Sequence, residues 1–340
     1  MIQYLNKPVF ILGHSRSGTS LLLSLLDGHP DLLTFPGEMQ GFKIINDPTP
    51  DNCLFKTGLK HAFQGQHALK NVNADLVRNN LVNYLSKAVT HKDVILAIIQ
   101  AYEKCMGALP ANVRYWVEKT GNNYRYIPTI EKWFGHDVKY VWILRDPRDV
   151  FNSVRTKKHN FDRYIFAVRW ALMIRLIDIF GKLVQGRLLV IKYEDLVSNE
   201  EKTMRDVAEF IGIEFSEKLL IPTRNGMPMG EHSSAGGEVK WWREKVDTAS
   251  LGKRSKYLTE NDLRWLEERL NPEMHLWGYE TPIKNRVFDL AFIFSVYSRV
   301  LLCLFETWCP LLQTRIWKAE RVNLIQRGTA RALARRDSLG

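Results

Sequence analysis

The chain has 340 residues and a formal net charge of +11, with 45% hydrophobic and 25% charged residues. That length builds one large α/β domain with an extension or two small domains, and the composition excludes a disordered, collagen-like or low-complexity chain. The positive balance points to an anionic partner such as a nucleotide, a nucleic acid or a lipid surface.

In chain order, an apolar strand over 9–12 opens the sequence and runs into "GHSRSGTS", after which an apolar helix is predicted over 21–26. Gly13 and Gly18 stand at the spacing of a phosphate cradle, where backbone N–H groups and a helix N-terminus face an anion. The lysine of a nucleotide-binding P-loop is replaced by Thr19, and the loop's own cation is Arg16. A donor with one phosphate beside a leaving sulfuryl group suits such a loop. It needs backbone donors, the hydroxyls of Ser17, Thr19 and Ser20, and one cation, but no metal. Alone, the same residues also describe a plain turn with an N-cap.

A turn over 27–31 leads to Glu38, and residues 39–112 read as an inserted, mainly helical region with helices over 74–89 and 92–106. A second pass follows: a strand over 115–120, a helix, then the strand "KYVWIL" ending at Arg145-Asp146-Pro147, with a helix starting near Asp149. A long helix over 162–183 precedes a strand over 187–196 and a helix over 200–212, and the core closes near 275–280. Alternating strands and helices predict a mainly parallel, doubly wound sheet, with ligands beyond the carboxyl ends of its strands. Arg145 lies at such an end and Ser153 follows within the next helix, which makes a second anion site beside the first. The competing reading pairs Arg145 with Asp146 or Asp149 at a helix start.

Four blocks, "RSGTSLLLSLLDGHPDLLTFPGE", "EKTGNN", "LRDPRDVFNSV" and "IKYEDLVSNEEKTMRDVAEFIGI", together resemble the sulfotransferases that use 3′-phosphoadenosine 5′-phosphosulfate (PAPS). Their order and spacing resemble the tyrosylprotein and bacterial carbohydrate branch. The resemblance spans about residues 8–282 and implies the P-loop-related sulfotransferase fold, with 283–340 as a hydrophobic and basic helical extension. It implies that Arg16, Ser17, Gly18, Thr19 and Ser20 hold the 5′-phosphosulfate, that Arg145 and Ser153 hold the 3′-phosphate, and that Tyr193 lies near the adenosine 3′ side. The donor would leave as adenosine 3′,5′-bisphosphate, with no metal required.

Sulfuryl transfer to a hydroxyl needs a proton acceptor and a group that steadies the leaving oxygen. By resemblance Glu38 is the general base and Lys119 the cation near the bridging oxygen, with Asp31 or His29 next in line for the base. A solvated loop glutamate and a surface lysine are the plainer readings of the two. Gly121 stands where the family commonly has proline. His14 and His29 read as structural; Lys240, Trp241 and Trp242 suit a segment covering the cofactor, as in relatives, while core packing better explains at least one of the two tryptophans. The expected acceptor is a glycan or glycolipid hydroxyl.

Two other classes compete. A P-loop kinase or NTPase is disfavoured by Thr19, and a non-catalytic polyanion binder at a membrane surface would use the basic C-terminal stretch. Beyond Pro282, ten lysines and arginines stand against four acidic residues, so +6 of the +11 lies there. Apolar residues recur at helical steps through Leu290, Ile293, Phe294, Tyr297, Leu301, Leu304, Phe305 and Trp308. Asp289, Arg299 and Glu306 interrupt the run, which argues against a membrane span. The run either packs on the core, with a homodimer as a variant, or lies on an anionic membrane surface through 287–336. No nucleic-acid partner is expected. The cysteines Cys53, Cys105, Cys303 and Cys309 form no C-x-x-C pair and no zinc spacing, and no leader precedes the first strand, so a cytoplasmic protein with reduced thiols is expected.

Overall fold

Strand β1 (Pro8–Gly13) is buried along its whole length, as a central parallel strand covered on both faces must be. Its side chains alternate between two apolar layers. Val9 and Ile11 join Val117, Val141 and Ile143 on one face, and Phe10 and Leu12 join Trp116, Tyr140 and Trp142 on the other. The computed structural model describes residues 3–107, 112–157, 161–228, 258–283 and 289–308.

After β1 come α1 (Thr19–Leu26) and β2 (Leu32–Thr34), then α2 (Gly41–Ile44), α3 (Pro50–Phe55), α4 (Ala74–Leu85) and α5 (His91–Met106). The chain returns to the sheet with β3 (Tyr115–Lys119), α6 (Ile127–Phe134), β4 (Lys139–Leu144), α7 (Pro147–Arg155), α8 (Arg163–Val184) and β5 (Leu188–Lys192). Next are α9 (Tyr193–Ser198), α10 (Glu200–Ile211), a small hairpin of β6 (Thr223–Arg224) and β7 (Met227–Pro228), α11 (Glu260–Leu276) and α12 (Leu290–Trp308). The five main strands are parallel in the order β2-β3-β1-β4-β5. From β1 the chain goes to the edge strand β2, returns inward to β3 beside β1, and then crosses to β4 and β5 on the other side. This reversal opens a crevice at the carboxyl ends of β3, β1 and β4.

The expected α/β architecture is present, with local differences. The segment expected as one strand over 187–196 ends at Lys192, and "YEDLVS" turns at once into helix α9. Helix α7 begins at Pro147, two residues before Asp149, because the Asp146 carboxylate caps it by accepting the Arg148 N–H at 2.9 Å and proline suits the first turn. Helix α12 packs on α8, but through Phe292, Val296, Val300 and Cys303. Half of the apolar stripe read from the sequence (Leu290, Phe294, Tyr297 and Leu301) therefore faces outward. Among the described residues no helix is long and apolar enough to cross a membrane.

Candidate active site

The loop between β1 and α1 is shaped by contacts that leave no room for side chains at two glycines. A Cβ at Gly13 would lie 2.6 Å from the Ile143 carbonyl oxygen, and one at Gly18, where φ is 98°, would strike the Tyr193 ring. Gly121 is forced in the same way, because the Gly13 carbonyl occupies the place of its Cβ. That close crossing accounts for glycine where the resemblance leads one to expect proline. Gly18 is the N-cap of α1 and offers no side-chain cap, so the first-turn amides keep their donor capacity. The Ser17 hydroxyl is buried with no hydrogen-bond partner among the described residues. A buried orphan hydroxyl at a helix N-terminus fits a cradle completed by an anion.

Two guanidiniums converge on this cradle. Arg16, at φ 75°, donates from Nε to Ser153 Oγ at 2.9 Å, and Arg145 donates to the Arg16 carbonyl oxygen at 3.1 Å. The Arg145 guanidinium lies 4.2 Å from the centre of the Tyr193 ring. Arg16 is held below its usual pKa by burial first and by the like charge of Arg145 second. Lys157, just past α7, is held below its usual pKa by burial first and by the like charge of Arg16 second. Arg148 pairs with Asp146 at 2.7 Å. The structure thus brings Arg16, Ser17, Gly18, Thr19, Ser20, Arg145, Ser153 and Tyr193 to one end of the sheet.

At the carboxyl end of the neighbouring strand β3, Lys119 Nζ meets Glu38 Oε1 at 3.0 Å. The lysine side chain is 7% exposed and the glutamate 45%, so a buried cation holds a carboxylate that solvent or an acceptor can reach. Gln40 Nε2 donates to the other carboxylate oxygen at 3.1 Å. The other base candidates lie elsewhere. Asp31 accepts from Arg114 and its carbonyl binds the Tyr115 amide at the opposite end of β3, and His29 is held between the Asp31 amide and the Glu214 carbonyl. His14 is bonded to the Ser15 carbonyl and packs edge-on to Phe166; burial lowers its pKa to about 4. Lys240, Trp241 and Trp242 lie outside the described residues.

The sulfotransferase family model matches residues 8–217, more than half of the chain and all of the strands just described from β1 to β5. The chain belongs to the sulfotransferase family. Its relatives include a Caenorhabditis briggsae protein named as a protein-tyrosine sulfotransferase, 21% identical over 83% of this chain and 92% of that one. Protein-tyrosine sulfotransferase A of Caenorhabditis elegans is 24% identical, over 62% of this chain and 51% of its own length. Among solved structures, the sulfotransferase domain of the Synechococcus olefin synthase superimposes with a TM-score of 0.58. It is 24% identical, covering 81% of this chain and 96% of that domain, and it attests the fold. In this sulfotransferase, further polar residues that no motif marks lie close to these groups. Gln40 and Lys157 sit in polar surroundings that give no pattern. Glu118 did carry a signal: an acid within "YWVEK", a strand whose neighbours are apolar.

Proposed function

We propose that the protein transfers a sulfuryl group from PAPS to an acceptor hydroxyl, with Glu38 as general base and Lys119 as the cation at the leaving oxygen. The observation that carries this reading is the convergence of Arg16, Arg145 and the orphan Ser17 hydroxyl on the α1 N-terminus, one strand away from the Glu38–Lys119 pair. Residues 16–20 would hold the 5′-phosphosulfate and Arg145 with Ser153 the 3′-phosphate, beside Tyr193. The Arg16–Ser153 bond links the two subsites. PAPS supplies the sulfuryl group on a good leaving group, and the protein's own cations meet the charge, so no metal is needed. Glu38 takes the acceptor's proton on a carboxylate oxygen. Protonation removes the countercharge of Lys119, which frees the ammonium to steady negative charge on the departing phosphate oxygen.

The names of the nematode relatives favour a peptide tyrosine as acceptor over a glycan or glycolipid hydroxyl. A second contact is with an anionic lipid surface. It is supported by the outward stripe of α12, where Phe294 is 75% and Leu301 65% exposed, and by the basic excess beyond Pro282. The activity is tested with labelled PAPS offered to tyrosine peptides, to a glycan panel and to a cell extract, with the product identified by mass spectrometry. Label on an acceptor hydroxyl supports the reading. No transfer from PAPS, or phosphoryl transfer from ATP instead, overturns it.

A further inference from the structure

The loop that carries Glu38 is gripped from beneath by a buried acid. Glu118 has 0% exposure and its carboxylate accepts three donors: the Thr120 hydroxyl, the Met39 amide at 3.3 Å and the Asn123 side-chain amide at 2.9 Å. Thr120 Oγ1 in turn accepts the Gln40 amide at 3.0 Å. Two consecutive backbone amides directly after Glu38 are therefore tied, one directly and one through a hydroxyl, to a single side chain. From the other side the Gly58 amide donates to the Glu38 carbonyl at 2.6 Å. That approach is possible because a Cβ at residue 58 would lie 2.7 Å from Gly37.

We propose that Glu118 is a positioning residue that fixes the backbone of residues 38–40, so that the Glu38 carboxylate stays on Lys119 and open to the acceptor. The inference rests on Glu38 being the base. Glu118 touches neither donor nor acceptor, since it is wholly buried. Three donors converge on it, so the grip is strongest with an ionised carboxylate; a proton takes up acceptor capacity and weakens the bonds it accepts. Burial pushes its pKa up to about 7 and the nearby Glu38 adds to this, while Thr120, Lys119 and the Met39 amide pull it down. Asn123 completes the groups that face it. Activity should accordingly fall as the pH drops through about 7, as Glu118 takes up a proton and the loop loosens.

The test compares Glu118→Gln, Thr120→Val and Glu38→Gln with the wild-type chain. It uses hydrogen exchange of the 39–40 amides, heat stabilisation by adenosine 3′,5′-bisphosphate, and label transfer from PAPS to a cell extract as a function of pH. Glu118→Gln should keep the bisphosphate stabilisation and exchange faster at Met39 and Gln40. Its transfer should drop about tenfold or more, with the limb near pH 7 gone. Wild-type exchange and transfer, or lost transfer with that limb intact, would overturn the inference. If Glu118→Gln does not fold, Thr120→Val decides: it leaves the acid and cuts the link to the Gln40 amide, and unchanged exchange there counts against the grip. Full transfer by Glu38→Gln would remove the base reading alone, because the exchange data judge the grip separately.

Discussion

At the residue scale, the proposed chemistry rests on Glu38, a carboxylate held between a buried ammonium and an amide. Replacing Glu38 by Gln keeps the shape but removes the proton acceptor, so turnover should fall by roughly 100-fold or more while bisphosphate binding is kept. Lys119→Ala should also cut turnover more than donor affinity. Steady-state rates with parallel binding measurements check both, and a Glu38→Gln variant of wild-type turnover would return the search for the base to other residues. Arg16, Arg145 and Ser153 were legible because a strand end, a loop and a helix start are written in local sequence. Glu118 stands out in the sequence only as an acid within an apolar strand; its contacts are not written there, because they come from three donors in the 39–40 loop and the turn after β3.

At the element scale, Arg145 reaches the cradle because α7 is anchored by its neighbour. The Arg148 guanidinium is 4% exposed, pairs with Asp146 and Glu267, and donates to the Glu280 carbonyl, which fastens α7 to α11 and to the chain after it. Arg148→Ala would remove a buried countercharge from Asp146 and Glu267, at a cost of about 3–5 kcal/mol. Urea or thermal unfolding should register that loss; a change within experimental error would contradict the anchoring role. The motif "RDPRD" alone could not divide the work between its two arginines, because Glu267 lies 119 residues further on. The start of helix α9 is hidden for a similar reason: "YEDL" follows the apolar run of β5 with no glycine or proline between them, yet β5 leaves its neighbour β4 at Lys192. There Tyr193 turns under Arg145.

At the scale of the whole molecule, the sheet and its crevice followed from the order of apolar runs, whereas the placing of α12 did not. Its sequence carries two apolar faces, and contact with α8 selects the one through Phe292, Val296 and Val300. Cutting the chain after Pro282 would uncover α8, so the lipid contact is better tested by Phe294→Glu with Leu301→Glu. This variant should stay folded and lose binding to anionic phospholipid vesicles at low salt, as read by co-sedimentation; undiminished binding, or a wild-type chain that ignores vesicles and runs as a dimer, would contradict the lipid reading.

On the proposed reading, the crevice at β1, β3 and β4 is built for a 3′-phosphoadenosine donor. The most direct test of that reading is thermal unfolding with adenosine 3′,5′-bisphosphate in the absence of magnesium. The ligand should stabilise the protein by about 2.7 kcal/mol at a hundredfold excess over its Kd. ATP should do less, and Arg145→Ala should lose most of the effect. Equal stabilisation by ATP, or a bisphosphate response that survives the loss of Arg145, would contradict it.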